Sequence, residues 1–295
     1  MSKATLIDTT RCVGCRSCQV ACKQWNKLPE EATAIDGKRT FLQNPAAYSS
    51  KTFNVVTFNE VLDENAPGGL RFIMAKRQCM HCEHPSCASA CPVTALHKTP
   101  EGPVVYDVDK CIGCRYCVWA CPFGVPTAEW DSLAPQIKKC TMCDSRSAEP
   151  APAERNGKPL TDAQTASWAA AHERPACVNA CPTGALKHGE RDALLAEAHE
   201  RIQGHPGRYV DHVYGEHEVG GTSYLYLAAV PFEKLGFRGD LGTTPYPAHT
   251  ATALGLVPAA VLGVGAALGG IHLFARRKAA VAAEARDRAE MGEQP

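Results

Sequence analysis

Apolar residues recur along the chain at three different spacings, and each predicts a different kind of element. Between residues 190 and 202, Leu194, Leu195 and Ile202 fall at helical intervals, which predicts a helix there. Alternation through Ser223-Tyr224-Leu225-Tyr226-Leu227 predicts a strand, within a region of strands and turns over 209–232. Strand-like patches lie at 53–58 and 70–74, inside a long insertion, 23–78. Ala95-Leu96-His97, a turn at Pro100-Glu101-Gly102 and the apolar run 104–108 predict a short hairpin, and Thr183-Gly184-Ala185-Leu186 starts a similar piece. Residues 145–175, rich in alanine, proline and charge, read as a surface excursion.

The third spacing is no spacing at all. From Leu241 through Ala275 there is no Asp, Glu, Lys or Arg, and 251–275 is mostly Ala, Leu, Val and Gly. That stretch is long enough to cross a hydrocarbon core as one helix. Pro258 is a kink site of the kind that partner helices tolerate. Arg276, Arg277 and Lys278 follow at once, so the positive-inside rule puts the C-terminus, 276–295, in the cytoplasm and the rest of the chain on the other side. A buried soluble helix would have the same composition but not the abrupt basic stop. Gly265 and Gly269 have small-xxx-small spacing, which predicts packing on other membrane helices. Residues 241–250 read as a linker. With the first cysteine already at residue 12, the N-terminus leaves no room for a secretory leader, so export would depend on a partner.

Charge adds little: 31 basic and 31 acidic residues leave no basic surplus for nucleic acid. Cysteine changes the picture. The 16 cysteines all lie between Cys12 and Cys181, in groups. Cys12, Cys15, Cys18 and Cys22 have the spacing C-x2-C-x2-C-x3-C, and Cys111, Cys114, Cys117 and Cys121 repeat it. Cys79, Cys82, Cys87 and Cys91 form a second group, with four residues between the middle pair. A split group joins Cys140 and Cys143 to Cys177 and Cys181 across 33 residues. Pro92, Pro122 and Pro182 follow the last cysteine of three groups, and Lys23 follows that of the first.

This is the bacterial ferredoxin run, repeated with variations. Three thiolates at x2 intervals lie on one loop around one cubane, and the fourth starts a helix and reaches a neighbouring cluster. A proline after it costs no hydrogen bond in a first helical turn. Gly14 and Gly113 lie inside the loops and let backbone amides approach cluster sulfurs, so both are cofactor-binding candidates. Disulfide frameworks do not repeat this spacing, and they belong mostly to short secreted chains. Zinc would fit Cys140 and Cys143 alone, but four quartets fit iron–sulfur better. The expectation is four 4Fe–4S clusters on sixteen cysteines.

Only 19 residues separate the second group from the third, against 56 between the first and second. The middle groups therefore predict one compact two-cluster module, about 79–121, and the first group pairs with the split one, 12–22 with 140–190. The crossed rule then gives four ligand sets: Cys79, Cys82, Cys87 and Cys121; Cys91, Cys111, Cys114 and Cys117; Cys12, Cys15, Cys18 and Cys181; and Cys22, Cys140, Cys143 and Cys177. Pairing the first group with the second is the alternative that spacing leaves open. The predicted fold is α+β: two ferredoxin-like two-cluster modules with long loop insertions in a domain 1–240, plus one C-terminal transmembrane helix.

The stretches Cys12-Val-Gly-Cys-Arg-Ser-Cys-Gln-Val-Ala-Cys-Lys-Gln-Trp-Asn, Cys79-Met-His-Cys-Glu-His-Pro-Ser-Cys, Cys111-Ile-Gly-Cys-Arg-Tyr-Cys and Pro175-Ala-Cys-Val-Asn-Ala-Cys-Pro-Thr-Gly-Ala carry a resemblance, as do Tyr214-Gly and Glu218-Val-Gly-Gly-Thr. With its tail helix, the chain resembles the iron–sulfur (beta) subunit of respiratory formate dehydrogenases of the formate dehydrogenase-N type, over nearly its whole length. The cysteine motifs also resemble the wider four-cluster family that serves hydrogenases, dimethyl sulfoxide reductases and nitrate reductases. The resemblance implies a non-catalytic electron-transfer subunit. Its partners would be a molybdenum or tungsten bis-pterin catalytic alpha subunit, exported by a twin-arginine signal, and a haem b gamma subunit that passes electrons to quinone. It would sit in a bacterial inner membrane, single-pass, with the cluster domain on the periplasmic side. The equivalent subunit of a membrane-bound nickel–iron hydrogenase is the alternative. The chain departs from the family in having few residues before the first run and a longer stretch between Cys143 and Cys177.

Overall fold

A computed structural model describes residues 2–33, 43–63, 67–130, 132–133, 135–155 and 158–290. The chain divides into two units, 1–247 and 248–295.

The first strand, β1 (Lys3–Asp8), is buried at every position after Lys3. It is the centre of a three-stranded sheet and is covered on both faces, so its apolar residues show no alternation. After the loop of the first cysteine run comes helix α1 (Ser17–Trp25). The insertion 23–78 contains one long antiparallel hairpin, β2 (Val55–Leu62) with β3 (Leu70–Arg77). The second run leads into α2 (Ser86–Ser89) and then the hairpin of β4 (Leu96–Lys98) and β5 (Val104–Tyr106). The third run repeats the plan with α3 (Tyr116–Ala120) and a two-residue hairpin, β6 (Thr127–Ala128) and β7 (Ile137–Lys138).

The segment 145–175 is more regular than its composition suggests. It holds a small hairpin, β8 (Glu154–Arg155) with β9 (Lys158–Pro159), and helix α4 (Asp162–His172). Thr161 and Gln164 form a reciprocal capping box that starts α4 despite its sparse apolar face. Helix α5 (Ala176–Asn179) follows, then β10 (Leu186–Glu190) and α6 (Arg191–Gly204). The piece that begins near Thr183 forms no hairpin with its own neighbours. β10 pairs antiparallel with β1, with Thr5 opposite His188, and β1 pairs in parallel with β11 (Tyr224–Leu227).

The period of two in β11 serves two cores at once. Tyr224 and Tyr226 join Ile7, Tyr214, Phe232 and Phe237 in one apolar cluster, while Leu225 and Leu227 join Ala4, Leu6 and Leu194 in another. Each large side chain so buried contributes about 1.5–3 kcal/mol. Leu195 and Ile202 of α6 cover the edge of the second cluster. Asp8 is almost fully buried, and Arg201 Nη1 and Tyr209 Oη each donate to its Oδ2 at 2.9 Å.

The second unit belongs to α7 (Tyr246–Glu290), whose first two residues precede it. The helix takes in the second half of the expected linker, starting with Pro247 in its first turn, where proline is tolerated. It also runs past Arg276, Arg277 and Lys278, so the described part of the expected tail is helical; alanine, glutamate and arginine are strong helix formers. Pro258 lies inside it. By length and composition α7 can cross a membrane, and its apolar stretch is exposed throughout.

Candidate metal centres

Each cysteine loop turns on the residue two places after its first cysteine. Gly14 (φ +67°), His81 (φ +48°), Gly113 (φ +70°) and Met142 (φ +57°) are all left-handed. That conformation aims the backbone N–H at the preceding sulfur. Gly113 N donates to Cys111 Sγ at 3.4 Å and Met142 N to Cys140 Sγ at 3.3 Å. The amides of Gly14 and His81 likewise favour the charged forms of Cys12 and Cys79, against burial, which raises both. The first and third loops enter their helices through left-handed Arg16 and Arg115, the second and fourth through Pro85 and Pro175.

Helix packing follows that alternation: α1 packs on α5, and α2 on α3. The first group therefore lies against the split group and the second against the third, and the fourth cysteine of each group faces the partner group. Burial is the main cause that raises most of these thiols, and neighbouring sulfurs come next. Cys82 is raised by Cys79, Cys121 and Cys87. Cys117, pushed up to about 11, is raised by Cys114, Cys111 and Cys91. Cys22 is raised by Cys140, Cys177 and Cys143. Cys12 is raised by Cys181 and Cys15, and Cys18, pushed up to about 12, by Cys177, Cys12 and Cys15. Cys12, Cys15, Cys18 and Cys181 line a single cavity.

We call these neighbourhoods set A (Cys12, Cys15, Cys18, Cys181), set B (Cys22, Cys140, Cys143, Cys177), set C (Cys79, Cys82, Cys87, Cys121) and set D (Cys91, Cys111, Cys114, Cys117). Three apolar clusters link them. Cys12, Cys18 and Cys181 share one with Cys177 and Cys82; Cys22 and Cys140 share another with Cys79 and Cys121; Cys87 shares the third with Cys91, Cys111 and Cys117. Neighbouring sulfurs give the order: Cys18 of set A feels Cys177 of set B, Cys140 of set B feels Cys79 of set C, and Cys87 of set C feels Cys117 of set D, so the sets form a row, A to D. The two exposed cysteines, Cys15 and Cys114, belong to its two ends.

The donor chemistry fits iron–sulfur cubanes. A buried thiolate without a cation is costly, and the raised thiols record that cost. Iron would take the place of the proton, and each left-handed turn supplies an N–H to a ligand sulfur. A side chain at Gly14 would meet Met74 Cγ and Phe58 Cε1 at 2.9 Å, so backbone alone fits there. His81, fully buried, accepts from Val104 N at Nδ1 (2.8 Å), which leaves its Nε2 as a buried donor with no partner among the described residues. Among the described residues no three His, Cys, Asp or Glu side chains converge as ligands of one ion do. Tetrahedral zinc gathers four ligands around one point, whereas a cubane spreads its thiolates over four irons.

Two models of a 4Fe–4S dicluster domain match the chain, over residues 11–95 and 70–156. A protein of Nitratidesulfovibrio vulgaris is 43% identical over 96% of this chain and 69% of its own length. The hydrogenase-2 operon protein HybA of Escherichia coli O157:H7 is 35% identical over 79% of this chain and 72% of its own. The iron–sulfur subunit of the nitrate-inducible formate dehydrogenase of Escherichia coli K12 is 34% identical over 76% of this chain and 67% of its own. The chain belongs to this family of iron–sulfur electron-transfer subunits. The family covers both the formate dehydrogenase and the hydrogenase relatives, and it is broader than the formate dehydrogenase-N type. Dicluster domains fit the fold, with its short helices, small hairpins and one long apolar C-terminal helix.

Within this family member, glycine marks only two of the four turns. His81 and Met142 adopt the same conformation without that signal. Spacing alone finds them, two places after Cys79 and Cys140. Two buried lysines are also invisible to motif reading. Lys139 Nζ donates to the carbonyls of Val104 and Cys140. Lys76 Nζ donates to Gln78 Oε1 at 2.6 Å. Burial opposes the Lys76 charge, but Cys177, Cys18, Cys140 and Cys22 outweigh it and raise its pKa.

Proposed function

We propose that the chain binds four 4Fe–4S clusters, one in each of sets A to D, and conducts electrons along that row as the non-catalytic subunit of a membrane-bound formate dehydrogenase. The observation that carries this reading is the row itself, with exposed cysteines only at its ends. Each cubane supplies a one-electron carrier. The chain's own part is to hold the cysteines, aim amides at their sulfurs and keep water from the inner sets. Gly14, His81, Gly113 and Met142 do the aiming. The partners on this reading are a molybdenum or tungsten pterin catalytic subunit at one end and a haem b membrane subunit at the other. α7 anchors the chain as a single span, its basic stop in the cytoplasm and the cysteine sets on the periplasmic side of a bacterial inner membrane.

A hydrogenase is the second reading, favoured by the 35% identity to HybA. Solubilising the complex from native membranes and analysing its metals decides between them. Molybdenum or tungsten supports the formate reading and nickel the other, with at least about sixteen irons per copy of this chain in either case. A preparation with iron for fewer than four cubanes refutes the row.

A further inference from the structure

Lys76 lies in β3, 2% exposed, in the interior between the cysteine sets. Its ammonium is fixed by a closed ring of bonds. Nζ donates to Gln78 Oε1, Gln78 Nε2 donates to Tyr226 Oη at 2.7 Å, and Tyr226 Oη donates back to the Lys76 carbonyl at 3.0 Å. The ammonium also stands 5.4 Å from the centre of the Tyr224 ring. Among the described residues no carboxylate forms an ion pair with it. An amide oxygen and an aromatic face supply only partial negative charge, and a buried ammonium so placed costs several kcal/mol unless an anion is near. The anions available are the cysteine sets. Lys76 lines the cavity around which set A converges. Its charge also reaches Cys22, Cys140 and Cys177 of set B.

We propose that Lys76 is a fixed buried cation shared by sets A and B, and that it raises the reduction potentials of the two clusters held there. The proposal rests on the four-cluster reading. Reduction adds one negative charge to a cluster, and a cation held nearby in a low-dielectric interior stabilises that reduced form. Sets C and D lie further along the row, so their potentials respond less. Lys76 touches no substrate; it acts through the charge that it presents to two carriers.

The test is a redox titration followed by electron paramagnetic resonance on the intact membrane complex, with iron counted per chain. In Lys76→Met, two of four midpoints fall, each by about tenfold in electron affinity, or ~59 mV for a one-electron couple. Lys76→Arg keeps the charge and both midpoints. Gln78→Glu sets a carboxylate beside the retained ammonium and lowers the same two midpoints, which keeps the test open if Lys76→Met loses iron. Four unmoved midpoints in Lys76→Met, or in Gln78→Glu where Lys76→Met does not assemble, overturn the proposal and leave the four-cluster reading intact. Fewer than four clusters in the wild-type complex overturn that reading instead.

Discussion

The amide of Met142 donates to Cys140 Sγ at 3.3 Å from a backbone conformation that side chains seldom adopt, and Gly113 repeats the bond at Cys111. The four left-handed turns are alike in backbone and unlike in their surroundings, which separates the two glycines experimentally. At Gly113 an added Cβ would meet nothing nearer than Pro135 Cγ, at 3.5 Å. Gly113→Ala should therefore cost only the backbone strain, about 1–2 kcal/mol. At Gly14 the same methyl would press on Met74 and Phe58, adding about 1–3 kcal/mol of overpacking. Guanidinium titrations followed by loss of visible absorbance should rank Gly14→Ala clearly below Gly113→Ala; equal midpoints would contradict the packing described here.

The crossed arrangement makes a pairing prediction. Cys121 follows Cys117 in sequence but neighbours Cys82 and Cys87 in space. Cys121→Ser and Cys82→Ser should perturb one and the same paramagnetic signal. Cys114→Ser and Cys91→Ser should perturb a different one. A shared signal for Cys121→Ser and Cys114→Ser would show that runs, rather than crossed sets, hold the clusters.

His188 gives the first unit an acid-side weakness. It sits in β10 opposite Thr5, with Thr5 Oγ1 at 3.0 Å from its Nδ1. Burial, then the charge of Lys3, lowers its pKa to about 4, although the Ala4 backbone opposes the shift. The unfolded chain takes up this proton near pH 6.5, and the folded chain only near 4. Between those values the unfolded state binds more protons, so this contribution to stability is full above about pH 6.5 and falls as pH falls towards 4. His188→Gln should flatten that part of the stability–pH curve, measured by denaturant midpoints at fixed ionic strength. An unchanged slope would place the titration elsewhere.

The span has its own test. Leu262 lies in the apolar stretch of α7 and is 74% exposed. Leu262→Arg adds about 2.5–3.5 kcal/mol to the cost of insertion if this stretch crosses a bilayer. The variant should shift from the pellet to the supernatant on alkaline carbonate extraction of membranes, while Lys278→Ala should not.

Local pattern makes much of this legible, and long-range pairing limits it. The hairpin of β4 and β5 is readable because both strands and their turn lie within 95–108, and α6 because one face is apolar. β1 is not readable: five successive buried residues, Ala4 to Asp8, carry no alternation, and its partners are β10 and β11. Helix α4 has a legible capping signal, Thr161 and Gln164, but too little apolar face to show its period. In the site, the cysteine spacing is the strongest signal in the chain. The buried charge of Lys76 has none. A lysine next to Arg77 at the end of a strand reads as solvated, and only its tertiary neighbours place it inside.

β1 waits for partners made about 180 residues or more later. The cysteines of set A span nearly as much, from Cys12 to Cys181. A ribosome therefore releases the whole of that interval before the N-terminal loop can close, whereas Cys79 to Cys121 can already gather around each other. If each set holds a cluster, metal insertion has a built-in schedule: sets C and D, whose cysteines all lie within 79–121, are complete early in synthesis, and sets A and B, which need Cys177 and Cys181, are complete last.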